Sequence, residues 1–146
     1  MTNKPPKSDH DVVGAPEGAL GRPMHIGEVA ARTELSLRSL RHWEEVGLLE
    51  PSGRTEGGFR LYTEDDVEKI LVIRRMKPLG FSLDQMKAVM AEIEVLRRGD
   101  ADFAGRQSAL ERLDAIRTEA VARRTKLVRQ LEMADEFIDL LGREVP

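Results

Sequence analysis

The sequence predicts a mainly helical protein with one small β-hairpin and a long helix at its carboxyl end. Aromatic residues make up only 4% of the 146 residues, which favours helices over a β-sandwich. Several segments place apolar residues three and four positions apart, the spacing of one helix face. After residue 107 this spacing continues for more than four heptads, which is typical of a coiled coil.

The composition indicates a cytoplasmic protein without disulfides. Hydrophobic residues make up 40% and charged residues 34% of the chain, and cysteine is absent, which excludes thiolate metal sites and thiol switches. No stretch has the roughly 18 apolar residues of a membrane span, and we expect no secretory signal. The net charge is −3, so a case for nucleic-acid binding depends on where the cations lie rather than on their total.

The amino-terminal third predicts a tail followed by a helix-turn-helix. Residues 1–24 mix Pro, Gly, Asp and Ser without periodicity, which predicts a disordered tail. A short helix follows, because Ile26 and Val29 lie on one helix face. Ser36 is a plausible N-cap for a second helix that stops at Gly47. Only three or four residues separate the two helices, which is the spacing of a helix-turn-helix.

The second helix, within SLRSLRHWEEVGLL (residues 36–49), has cations near its start and acids near its end. Leu37, Leu40 and Glu44 share the side that is predicted to dock on neighbouring helices. The other sides carry groups able to reach bases or phosphates in a major groove: Arg38, Ser39 and His42, with Arg41 on a flank. Taken alone, this pattern also suits a solvated helix. A helix that enters DNA by its amino end explains the charge order, because its dipole favours phosphate.

The segment LLEPSGRTEGGFRLY (48–62) predicts a hairpin with strands at Leu48–Leu49 and Phe59–Tyr62. Arg54 and Arg60 lie on this glycine-rich hairpin. Arg60 alternates with its apolar neighbours, so one strand face is cationic and the other is apolar. Such a hairpin has the shape of a wing that straddles a sugar-phosphate backbone.

Two further helices are predicted after the hairpin. Thr63 begins a helix with acids in its first turn and cations in its last turn, which matches the helix dipole. Pro78 predicts that this helix ends or kinks around Met76. Ser82 opens the next helix through a capping box with Gln85.

The last helix is predicted over 108–141, after a linker at 99–107 and before a short tail at 142–146. It is on the order of 47 Å long from Leu110 to Leu141. A helix of that length has little intramolecular core to lie on, so its expected partner is a second copy of the chain. Arg117 and Arg124 interrupt the heptads. The apolar heptad positions, named here the α5 seam, are Leu110, Leu113, Ala120, Leu127, Leu131, Ala134, Ile138 and Leu141.

Three ordered blocks, SLRSLRHWEEVGLL, RTEGGFRLYTEDD and LGFSLDQM, resemble the MerR family of bacterial transcription regulators. The resemblance implies a winged helix-turn-helix head over 25–98, with a second helix pair, and an antiparallel coiled-coil dimerisation helix over 108–141. It also implies a homodimer at the bacterial nucleoid. Such a homodimer binds double-stranded promoter DNA, acts with RNA polymerase, and distorts the DNA between the two polymerase elements.

The resemblance places DNA contacts on the recognition helix and on the wing. The recognition-helix residues are Ser36, Arg38, Ser39, Arg41 and His42, and the wing residues are Arg54, Phe59, Arg60 and Tyr62. His42 stands where the family usually has a tyrosine. Glu34 stands where the turn often has glycine, which costs roughly 1 kcal/mol if its φ is positive. Trp43 is predicted to pack against the wing, and Glu44 to pair with Arg54 or Arg60.

The sequence favours a regulator without cofactor or metal over other classes. The three histidines are scattered, and no paired carboxylates, nucleophile–histidine pair or phosphate loop indicates an enzyme. Two alternatives remain at this point. One is an architectural or excisionase-like DNA-bending protein, and the other is a protein-interaction adaptor that uses the coiled coil.

Overall fold

The computed structural model describes residues 12–13 and 22–146. Its strands are β1 (Val12–Val13), β2 (Met24–His25), β3 (Gly53–Thr55) and β4 (Arg60–Tyr62), and its helices are α1 (Ile26–Thr33), α2 (Leu37–Glu45), α3 (Glu64–Met76), α4 (Leu83–Arg98) and α5 (Phe103–Glu144). The chain divides into two units, Met1–Arg74 and Arg75–Pro146. The predicted fold class, mainly helical with a small sheet and a long last helix, is confirmed.

Helices α1 and α2 are the first helices of the first unit, and they pack against each other. Glu34 ends α1 with φ 56°, the left-handed conformation that the predicted turn demands. Ser36 caps α2, because its hydroxyl oxygen accepts the Ser39 N–H at 3.0 Å. Helix α2 ends at Glu45, and Gly47 follows with φ 77°, so the predicted stop is confirmed.

The sheet has the strand order β1-β3-β4-β2, and every neighbouring pair is antiparallel. The predicted hairpin is present, but its first strand lies at β3 and not at Leu48–Leu49. The Leu48 and Leu49 amides instead donate to the Trp43 carbonyl, at 2.8 and 3.1 Å, because that carbonyl lies at the end of α2 and lacks a helical partner. Both leucines are buried.

The sheet reaches into the segment that was predicted as a disordered tail. Strand β1 pairs with β3, and strand β2 pairs with β4, so the predicted boundary after residue 24 falls inside β2. The remainder of the predicted tail, apart from residues 22–23, lies outside the described residues.

The core of the first unit joins the sheet to α1, α2 and α3. Its most deeply buried side chains are Tyr62, Leu40, Ile70, Ile73, Val29 and Thr33. Thr63 and Asp66 exchange hydrogen bonds at the start of α3, which satisfies two backbone amides there. The Arg74 guanidinium donates to the Thr33 carbonyl at 2.6 Å and thereby ties α3 to the end of α1.

In the second unit, a 3-10 turn over Lys77–Leu79 follows α3, which ends at Met76 as Pro78 predicted. The capping box of Ser82 and Gln85 opens α4. Helix α4 packs against α5.

Helix α5 begins five residues earlier than predicted, so 103–107 of the predicted linker is helical. The Asp102 carboxylate accepts the Gly105 N–H at 2.7 Å and caps the helix, which outweighs the helix-breaking tendency of that glycine. The helix also continues to Glu144, into the predicted tail. Within the described residues, no helix is both long enough and apolar enough to span a bilayer.

Candidate nucleic-acid interface

Helix α2 presents its cationic side to solvent and its apolar side to the core. Arg38, Arg41 and His42 are exposed, whereas Leu40 and Trp43 are buried. The predicted division of this helix into two sides is therefore present. Leu37 departs from it, because this predicted docking residue is 39% exposed at the first position of the helix.

The hairpin from Gly53 to Tyr62, named here the wing, carries an exposed tip and a partly buried base. Arg54 is exposed, and Phe59 is 69% exposed beside the turn. Gly58 has φ 82°, which favours glycine at that turn position. The wing therefore offers a cation and an aromatic side chain at its surface.

Tyr62 corrects one predicted wing contact. Its side chain is fully buried, so it packs in the core and does not face a ligand. Its hydroxyl has no hydrogen-bond partner among the described residues. Burial raises the pKa of Tyr62, and the nearby negative charge of Glu44 raises that pKa further.

Glu44 joins helix α2 to the wing. One of its carboxylate oxygens, Oε1, accepts Arg54 Nη2 at 2.9 Å, and the other, Oε2, pairs with Arg60 Nε. Arg54 also donates through Nη1 to the Gly58 carbonyl at 3.2 Å. The sequence predicted a pair with one of these arginines, and the structure gives both.

Ser36 and Ser39 form a local pair at the start of α2. The Ser36 hydroxyl donates to the Ser39 hydroxyl at 2.9 Å while it accepts the Ser39 amide. The orientation of both hydroxyls is thus set by the N-cap, at the end of α2 where the dipole favours an anion.

The second unit carries an apolar surface along α5. Most of the α5 seam is exposed in the single chain: Leu110, Leu127, Leu131, Ala134, Ile138 and Leu141. Leu113 and Ala120 are half-buried on the helix face that carries the buried Ala109. The expectation that α5 has little intramolecular packing is therefore wrong for its first half, where α4 packs against it.

Arg123 marks the end of that packing. Its guanidinium lies 4.4 Å from the centre of the Phe81 ring and donates to the Leu79 carbonyl at 3.1 Å. It also forms an ion pair with Glu119 at 2.7 Å. From residue 124 to residue 146 every side chain is exposed, including several large apolar ones.

Two exposed residues extend the apolar surface beyond the predicted seam. Phe103 is 85% exposed and Val145 is 67% exposed, and they continue the seven-residue spacing of Leu110 and Ile138. Both lie outside the predicted helix, Phe103 before its start at residue 108 and Val145 after its end at residue 141, and Val145 follows directly after the end of α5. The heptad spacing, followed outward in both directions, would have found them.

The described residues contain no group of three or more histidine, aspartate or glutamate side chains that could hold a metal ion. The chemistry at the exposed surfaces is that of guanidinium, imidazole and hydroxyl groups on α2 and the wing. Such groups donate hydrogen bonds and suit an anionic or base-bearing ligand.

Comparison with known proteins gives consistent matches. The family model for the MerR HTH family regulatory protein matches residues 24–93. The HTH-type transcriptional regulator YfmP of Bacillus subtilis is 35% identical over 119 residues, which cover 79% of this chain and 80% of YfmP. An uncharacterized HTH-type transcriptional regulator of Pseudomonas aeruginosa, PA4778, is 38% identical over 79 residues, or 54% of this chain. The chain spans 60% of the length of PA4778.

Among solved structures, the fold is similar to that of HiNmlR, a MerR family regulator lacking the sensor domain and determined bound to promoter DNA. The match has a TM-score of 0.64 with 20% sequence identity and covers 84% of this chain and 92% of HiNmlR. At that identity the likeness concerns the fold.

Proposed function

Because the chain belongs to the MerR family of helix-turn-helix regulatory proteins, we propose that it binds double-stranded promoter DNA in a sequence-specific manner, as a homodimer, and regulates transcription there. The relatives described above are transcription regulators. The acidic net charge does not oppose this function, because Arg38 and Arg41 on α2 and Arg54 on the wing are exposed where DNA would bind.

The observation that carries the proposal is the joint between α2 and the wing. Since Glu44 binds both Arg54 and Arg60, the recognition helix and the hairpin form one continuous surface. On that surface Arg38 and Arg41 are exposed on the helix, and Arg54 is exposed on the wing. A helix flanked by a cationic hairpin suits a major groove flanked by a phosphate backbone.

Helix α2 and the wing would make different kinds of contact with DNA. Arg38, in the first turn of α2, and His42, in its second turn, would reach base edges, and an arginine fork suits guanine O6 and N7. Arg54 and the exposed Phe59 on the wing would contact sugar and phosphate, which fixes position without reading sequence.

The homodimer rests on the exposed half of α5. A single chain leaves Leu127, Leu131, Ile138 and Leu141 in water, with exposed fractions between 41% and 62%. A second copy laid along this stripe would bury them. A two-fold dimer would read two half-sites about 34 Å apart or at a multiple of that distance.

At a promoter, we expect the dimer to distort the DNA between the two polymerase elements and so to act with RNA polymerase in the cytoplasm. This role needs no catalytic chemistry, cofactor or metal from the chain. We therefore place it among DNA-binding regulators and not among enzymes.

Duplex selection followed by salt titration tests the proposal. Genomic fragments are enriched on the full chain, and the affinity for the enriched duplex is measured at several salt concentrations. We expect log K to fall linearly with log salt, by about 0.9 per phosphate contacted. If the chain enriches no duplex, the proposal is wrong, and the alternative of a protein-interaction adaptor that uses the coiled coil is favoured.

A further inference from the structure

We propose that Glu44 is a positioning residue for DNA recognition: its carboxylate sets the directions in which the wing arginines present their remaining N–H groups to the phosphate backbone. This inference rests on the proposed DNA-binding function. Glu44 is acidic and would by itself repel DNA, yet in this role it favours DNA binding.

The geometry gives each carboxylate oxygen one arginine. Glu44 Oε1 accepts a hydrogen bond from Arg54 Nη2 at 2.9 Å, and Glu44 Oε2 forms an ion pair with Arg60 Nε. A guanidinium has five N–H donors in a rigid plane, so fixing one edge of that plane fixes where the other donors point. Arg54 is fixed twice, because its Nη1 also donates to the Gly58 carbonyl.

The Glu44 carboxylate is less exposed than the two arginine side chains with which it pairs. The Glu44 side chain is only 15% exposed, whereas the Arg54 side chain is 51% exposed and the Arg60 side chain 31% exposed. The carboxylate thus lies beneath the two guanidinium groups, and the guanidinium groups reach solvent. A carboxylate in that place repels phosphate less than an exposed acid would, because the cations stand at the surface.

The arrangement also links the two DNA-contacting elements. Glu44 belongs to α2, and both arginines belong to the wing, so movement of the wing relative to the helix would break the pairs. Long arginine side chains otherwise lose rotamer entropy when they bind phosphate. Holding them in advance reduces that loss, which favours complex formation.

Charge and positioning predict opposite results for Glu44→Gln, which is nearly isosteric. If the carboxylate merely offsets the wing cations, its removal tightens binding to any duplex and steepens the dependence on salt. If it positions the arginines, its removal weakens binding to the selected duplex by about tenfold or more and makes the slope shallower by about one. Glu45→Gln is the matched control, because it makes the same charge change at the neighbouring, exposed acid.

The experiment measures affinities of the full-length wild type, Glu44→Gln, Glu44→Asp and Glu45→Gln for the selected duplex at several salt concentrations, with circular dichroism melts of each. We expect weaker binding for both Glu44 variants, because Asp keeps the charge but is too short to hold both arginines. Glu45→Gln should bind as wild type or somewhat more tightly.

Wild-type affinity in the Glu44→Asp variant, or tighter binding by Glu44→Gln, would overturn the positioning role. If Glu44→Gln does not fold, the Glu44→Asp result decides. A wild type that binds no duplex would instead remove the proposed function itself.

Discussion

At the scale of single residues, the arginines of the head differ in what surrounds them. Arg38 is exposed on the first turn of α2. Arg54 is held from one side by Glu44 and from the other by the Gly58 carbonyl. An arginine whose position is fixed at the wing suits contacts with phosphate, which are the same for every DNA sequence. An arginine that projects from α2 suits contacts with base edges, which differ from one sequence to another.

We expect Arg38→Ala and Arg54→Ala to weaken DNA binding by different routes. The Arg38 change should cost about 1–3 kcal/mol on the selected duplex and much less on a scrambled duplex. The Arg54 change should weaken both duplexes alike and make the salt slope shallower by about one. Fluorescence anisotropy titrations on the two duplexes measure both effects. Equal losses on both duplexes for Arg38→Ala would refute its role in reading bases.

A second residue-scale prediction concerns the ion pair of Arg32 and Glu64. Arg32 donates to both Glu64 oxygens, at 2.5 and 2.8 Å, and this hydrogen bonding holds the pKa of Glu64 below its usual range. A carboxyl with a lowered pKa in the folded chain stabilises the fold above its unfolded pKa, and that stabilisation is lost as the pH falls through the folded pKa.

We therefore expect wild type to melt at a higher temperature than Glu64→Gln at pH 7, with a difference that begins to shrink below about pH 4 and is lost as the pH falls through the lowered pKa of the folded chain. The difference should be modest and should shrink in salt, because both side chains are about half exposed, at 42% and 50%. Glu50→Gln, a change at another exposed acid of the first unit, is the control. A difference that stays constant between pH 7 and pH 3 would contradict the assignment.

The ion pair of Glu44 could be predicted from the sequence, because it depends on local charge. The burial of Tyr62 could not, because it depends on how the sheet is covered. Glu44 was predicted to pair with a wing arginine because an acid on a docking face needs a partner. The burial of Tyr62 was not predicted, because alternation along β4 places neighbouring residues on opposite faces. In the structure, Leu61 and Tyr62 are both buried, since both faces are covered at that point.

At the scale of elements, Ser36 caps the start of α2, and we propose that the same helix end contacts DNA. Its hydroxyl caps the helix by accepting the Ser39 amide at 3.0 Å. The same helix end is where the dipole and the open amides favour a phosphate. Substitution at this one position separates the two roles.

We expect Ser36→Ala to lower stability by about 1 kcal/mol through loss of the cap, and Ser36→Asp to keep that stability. Ser36→Asp should nevertheless weaken binding to the selected duplex, because it places a negative charge where phosphate approaches. Thermal melts and DNA titrations of the two variants give both quantities. Unchanged DNA affinity in Ser36→Asp would show that this helix end does not approach the backbone.

The boundaries of the elements were predictable where one residue decides them. Gly47 and Pro78 stopped their helices as expected, and Ser82 opened the next one. The start of α5 was not predicted, because the Asp102 cap outweighs the following glycine. Strand β1 was missed for a different reason: it depends on pairing with β3, about forty residues further along the chain.

At the scale of the whole molecule, the charges on α5 predict how the two copies of the proposed homodimer pair. Parallel pairing would place Arg117 on Arg117 and Arg124 on Arg124, and like charges in register are disfavoured. Antiparallel pairing about the midpoint of the seam sets Arg124 against Leu127 of the second copy. We therefore expect the antiparallel arrangement.

Single cysteines test this arrangement, since the chain contains none of its own. Arg124→Cys and Leu127→Cys proteins are mixed and oxidised, and the products are separated by mass. We expect an efficient crosslink between positions 124 and 127, with Glu132→Cys mixed with Leu127→Cys as an off-register control. Efficient crosslinks between two copies of position 124, without a 124–127 product, would refute the antiparallel dimer.

We propose that a homodimer binds one promoter duplex through its two winged heads. Hydroxyl-radical footprinting of the full chain on the selected duplex tests it most directly. We expect two protected half-sites related by a two-fold axis, with centres about 34 Å apart or at a multiple of that distance. A single asymmetric protected site, or no protection at concentrations that saturate the duplex, would contradict binding by a two-fold dimer.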